Sequence, residues 1–100
     1  MKKFFPVLFT TLIFAQSYPG DDAIRKGVHA FYNYETAKAI EILAKVRQDH
    51  PENPTIHLTW AAARFTHNQA NSSVEQTYID LESVLNEVIP VYKVLVEKYP

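Results

Sequence analysis

A chain of 100 residues with 47% apolar and 21% charged residues has the balance of one small globular domain and excludes a disordered segment. Its formal charge of −1, with Lys and Arg scattered once Lys2 and Lys3 are set aside, excludes a nucleic-acid surface, because phosphate binding needs concentrated cations. Absence of cysteine excludes a disulfide framework and lipid attachment to an N-terminal cysteine.

The chain opens with Lys2 and Lys3, an apolar run from Phe4 to Ala15, and then Ala15-Gln16-Ser17, which sets small residues one and three positions before Tyr18. This is the layout of a cleavable secretory signal peptide. The run is about a dozen residues long, against about 20 needed to span a bilayer, and it contains Pro6. Residues 1–17 therefore read as a signal peptide cut between Ser17 and Tyr18, and residues 18–100 as the exported chain. The short two-lysine start is of bacterial type, which predicts the periplasm or cell envelope, or secretion. Without Lys2 and Lys3, eight basic residues face eleven acidic ones, a formal charge of −3.

Pro19-Gly20-Asp21-Asp22 is a turn with an aspartate N-cap, and Ile24, Val28 and Phe31 follow at helical spacing. After a short connection at Asn33 to Glu35, the positions Ala39, Ile40, Leu43, Val46 and Arg47 predict a second helix to about His50, stopped by Pro51. Asn53-Pro54 starts a third helix, since asparagine caps free amides and proline at the first helical position gives up a donor without a partner. That helix is predicted to end near Thr66, with the polar stretch His67 to Ser73 as a loop. Ser72 and Glu75 have capping-box spacing and open the fourth helix. There Val74, Tyr78, Leu81, Leu85, Val88, Tyr92, Leu95 and Tyr99 predict one buried stripe, with Asp80, Glu82 and Glu87 facing out. Pro90 falls off the stripe and predicts a kink near Asn86 rather than a break. Val84, Ile89, Val91, Val94 and Val96 make the second half apolar on nearly every side. Such a helix needs cover all round. The expectation is that a further helix pair follows Pro100, or that the isolated chain self-associates through this helix.

Two helix pairs, each closing on proline, resemble the tetratricopeptide repeat family. In the first unit, about residues 21–53, Gly27, Ala39, Leu43 and Pro51 match that family's small, small, large and proline positions. Val46 replaces its usual alanine, and Ala30 and Ala23 replace aromatics. The second unit, about 54–100, is longer, because Pro51 and Pro100 lie 49 residues apart against about 34 in the standard repeat. The resemblance implies an all-α fold of antiparallel helix hairpins stacked as a right-handed solenoid. It also implies a concave face, built by the first helix of each unit, that binds peptides or protein surfaces. On this chain the implied partner-binding residues are His29, Tyr32 and Asn33 with His57, Trp60, Arg64 and His67; the alternative reading makes Trp60 core and the others solvated surface.

Residues for chemistry do not converge. His57 and His67 share a face of the third helix but lie ten residues apart, about 15 Å along the axis, too far for one ion. No metal or cofactor site is therefore expected. The acids are dispersed, glycine numbers two, and no serine sits in a strand-to-helix elbow, so neither a catalytic set nor a phosphate loop is expected. Asn71-Ser72-Ser73 matches a glycosylation acceptor, but the bacterial reading makes Asn71 loop polarity. The expectation is an exported helical scaffold for protein–protein interaction without catalytic activity. The alternatives are a docking or dimerisation module of a larger envelope enzyme and a self-contained bundle binding a small apolar ligand.

Overall fold

The structure is a computed structural model that describes residues 18–98, so the signal peptide with Ser17, and the last two residues with Tyr99, lie outside the described residues. Four helices follow one another: α1 (Asp21–Tyr32), α2 (Thr36–Asp49), α3 (Pro54–Asn71) and α4 (Val74–Lys98). Among the described residues there is no strand, and the fold is all-α. Each helix packs on its sequence neighbour, and α1 also touches α3. Connections this short force antiparallel neighbours.

The ends of the helices show how local sequence sets these bounds. The N-cap of α1 is Gly20, at φ 96, and not an aspartate. Asp21 instead accepts from the Tyr18 amide at 2.8 Å and from Asn53 Nδ2 at 2.8 Å, while Asp22 pairs with Arg25 at the surface. Gly20 serves two ends, because a Cβ there would lie 2.8 Å from the His50 ring in a conformation that side chains disfavour. Helix α2 stops at Asp49, where the His50 amide donates back to the Val46 carbonyl. Asn53 caps α3 as expected, with Oδ1 accepting from the Thr55 amide at 3.0 Å and Pro54 beginning the helix. Its Nδ2 also donates to the Pro19 carbonyl and to Asp21, and the side chain is fully buried. One asparagine thus ties the start of α1 to the start of α3.

Three expectations for the second half are corrected. Helix α3 does not end near Thr66 but continues to Asn71. The polar side chains that resemble a loop are satisfied on the helix: His67 Nδ1 lies 2.8 Å from Thr36 Oγ1, Asn68 Nδ2 donates to Asp80 at 2.8 Å, and Asn71 Nδ2 donates to the His67 carbonyl. Ser72 terminates α3, and it is Ser73 whose Oγ accepts the Gln76 amide at 3.1 Å. The serine cap is therefore displaced by one residue.

The stripe on α4 is displaced as well. Thr77, Val84 and Val88 are buried with Leu81 half-buried between them, whereas Val74 is exposed and Tyr78 is 56% exposed. Polar partners set this phase. The Thr77 hydroxyl meets the Asn68 and Ser73 carbonyls, and Asp80, expected to face out, takes Arg64 and Asn68. Helix α4 runs unbroken through Pro90, although the ring removes the amide that would reach the Asn86 carbonyl.

The core draws on all four helices: Ile24 from α1, Leu43 and Val46 from α2, Ile56, Trp60, Ala61 and Ala63 from α3, and Val84 and Val88 from α4. Gly27 and Ala39 are buried where α1 and α2 meet. A Cβ on Gly27 would lie 2.5 Å from Leu43 Cδ2, so glycine permits that approach. Among the described residues, no helix is long and apolar enough to cross a membrane.

Candidate functional site

Helices α1 and α3 each turn a partly apolar face outward beside the other. Between them runs an open groove of about 300 Å³, walled by Val28, Phe31 and Tyr32 of α1 and by Leu58, Thr59 and Ala62 of α3, with Leu43 and Ala63 as its floor. The alternation of large and small residues makes the groove: Ala62 and Ala63 leave the space that Leu58 and Phe31 flank. Leu58 and Tyr32 are exposed, so apolar surface is available without rearrangement.

At one end of the groove the chain turns through Asn33, Tyr34 and Glu35. The Glu35 amide donates to the Ala30 carbonyl at 2.9 Å and the Tyr34 amide to the Phe31 carbonyl at 3.0 Å, the double bond of a Schellman helix end. This geometry needs a left-handed residue, usually glycine. Here it is Tyr34, at φ 64 and 93% exposed. With Tyr32 it leaves two solvent-facing phenols at the C-terminal end of α1.

A second concavity of about 360 Å³ lies on another side of α3, lined by Ala44, Arg47, Gln48, Pro51, His57, Trp60 and Val91. Its base is a polar cluster. His57, 2% exposed, approaches the Pro51 carbonyl through Nε2 at 2.7 Å and receives Arg47 Nε on Nδ1 at 3.0 Å. A carbonyl only accepts, so the proton sits on Nε2 and the ring is the neutral tautomer that can accept from arginine. Arg47 continues to Glu87 and lays its guanidinium carbon 4.4 Å from the Trp60 ring centroid, while Arg64, bonded to Asp80, lies 5.2 Å from it. Each such cation–π contact contributes about 0.5–2 kcal/mol. The cluster joins α2, α3 and α4, and among the described residues no buried side-chain nitrogen or oxygen lacks a partner.

The seven residues singled out in sequence thus separate into groups. Tyr32 lines the α1–α3 groove; His29 and Asn33 are exposed on and just after the same helix. His57, Trp60 and Arg64 belong to the α2–α3–α4 cluster, with Trp60 8% exposed, and His67 joins α3 to the start of α2. Both ring nitrogens of His57 are engaged, and among the described residues no three His, Asp or Glu side chains gather in a metal-holding group. Val28, Phe31, Leu58, Thr59 and Ala62, which form most of the groove, were not singled out in sequence as site residues, although Val28 and Phe31 mark the apolar face of α1. Their available signal was an apolar or small residue at 58, 59 and 62, flanking on α3 the stripe through Ile56, Trp60 and Ala63. Compared against protein families, characterised proteins and solved structures, the chain matches none.

Proposed function

We propose that this chain is an exported, tetratricopeptide-like scaffold of two helix pairs, α1–α2 and α3–α4, stacked as a right-handed solenoid in a bacterial cell envelope. It works by holding a peptide segment of another protein in the α1–α3 groove, with no chemistry of its own. The observation that carries this reading is the groove itself: a preformed apolar channel between the first helices of the two units, with exposed Tyr32 in its wall. Exposed aromatics beside a small-residue trough suit apolar side chains of a peptide, because they bury area at little cost in side-chain entropy.

Selection of a displayed random 12-residue peptide library on the chain tests the reading. Enriched peptides should carry apolar anchors and lose about tenfold or more in affinity, roughly 1.4 kcal/mol, when Ala62→Trp fills the trough. Glu41→Ala, on the outer face of α2, should leave binding unchanged. Absence of any enriched peptide, or binding indifferent to Ala62→Trp, would refute it. Export has its own check: N-terminal sequencing of the chain recovered from the producing cell should begin at Tyr18, and an intact Met1 would contradict it.

A further inference from the structure

The end of α4 carries apolar surface that α1–α3 leave open. The pairing of Thr77 with Asn68 and of Asp80 with Arg64 fixes an antiparallel register in which Pro54, the first residue of α3, lies level with the region of Val91. The last two turns of α4 therefore run past the start of α3. Ile89 and Val91 are each more than one-third exposed there, and Val94 is 63% exposed.

The sequence of this segment has a pattern of its own. Glu87, Val91, Val94 and Lys98 recur at intervals of four, three and four residues, which places them in one stripe along the helix. The stripe is symmetric about its centre: two valines inside, and opposite charges four residues beyond each. A two-fold interface needs a surface complementary to itself, and this one is.

We propose that the stripe is an interface with a second copy of this chain, α4 against α4 in antiparallel orientation, with the two-fold axis passing between Val91 and Val94. Val91 then meets the other copy's Val94, and Glu87 meets its Lys98, each twice. Parallel pairing would oppose Glu87 to Glu87. Glu87 keeps its bond to Arg47, and its side chain is 56% exposed, so a carboxylate oxygen is open to the incoming lysine. Small Ala44 on α2 leaves room beside Val91 for the second helix. This surface is separate from the α1–α3 groove, so the inference stands or falls independently of peptide binding.

Sedimentation equilibrium of the full chain across a range of concentration, with far-UV circular dichroism on every variant, tests the proposal. Wild type should form a dimer, and Val91→Lys with Val94→Lys should give a helical monomer. Lys98→Glu and Glu87→Lys should each weaken association by about threefold to tenfold. An equimolar mixture of those two variants should recover wild-type association, because the antiparallel heterodimer pairs every charge with its opposite. What Glu87→Lys costs beside Arg47 within its own copy is present in the free and the associated copy alike, so it drops out of the association constant. A wild-type monomer at all concentrations, open-ended polymers, association unchanged by the double valine substitution, or a mixture no tighter than either variant alone would each overturn the proposal.

Discussion

Tyr34 illustrates a stability cost accepted at a single position. The Schellman end of α1 requires φ near 60°, and an L-residue there loses roughly 1–2 kcal/mol relative to its preferred conformations. Its ring is almost wholly in solvent, so burial returns nothing within the described residues. Tyr34→Gly should therefore raise stability by about 1 kcal/mol in urea unfolding followed by circular dichroism, and no change or a loss would mean that the tyrosine ring contributes to the fold. If Tyr34 also touches the peptide, the same substitution weakens binding, separating its two effects. Gly27 is the opposite case, where the smallest side chain is needed. A Cβ there would meet Leu43 Cδ2 at 2.5 Å, and Leu43 is fully buried between neighbours that hold it in place. Gly27→Ala should lower stability by about 1–3 kcal/mol, despite alanine's better helix propensity. A stabilised Gly27→Ala would show that α1 and α2 can separate without loss.

At the scale of the element, two helix ends were legible from a local signal, while the aspartate cap of α1 and the serine cap of α4 were each placed one residue away from Gly20 and Ser73. Asn53-Pro54 and the stop at Pro51 depend on residues within one turn of each other, and both stand where composition places them. The end of α3 and the phase of α4 depend on partners far apart in sequence. His67 and Asn68 look like loop residues until Thr36 and Asp80 are brought beside them, and Thr77 is buried only because the Asn68 carbonyl receives its hydroxyl. A hydrophobicity pattern gives such polar contacts no weight, so it shifted the α4 stripe toward Tyr78. Ser72 and Ser73 make the point testable. Ser73→Ala should cost about 1 kcal/mol, the usual value of an N-cap serine, and Ser72→Ala markedly less; the reverse order in thermal unfolding would return the cap to Ser72.

For the whole molecule, the same limit explains the candidate site. All-helical architecture and the close approach at Gly27, Ala39 and Leu43 follow from periodicity and small residues, which are properties of one or two segments. The groove is a property of two helices that are not adjacent in sequence. Val28 and Leu58 become neighbours only after α2 has folded back between them, and each alone reads as an ordinary apolar helix position. His57 and Trp60 gave the stronger sequence signal because they are chemically distinctive, yet the Arg47, Glu87 and Arg64 side chains around them use that distinctiveness to join three helices. The two open surfaces then divide the molecule: the groove between α1 and α3, proposed to take a peptide, and the end of α4, proposed to take a second copy.

Methyl chemical-shift mapping is the most direct measurement. With a selected apolar 12-residue peptide titrated into methyl-labelled chain, shifts should concentrate at Val28, Leu43, Leu58, Ala62 and Ala63 and vanish in Ala62→Trp. Shifts centred instead on Val91 and Val94, or an absence of saturable shifts at the groove, would contradict the assignment of the α1–α3 groove as the binding site.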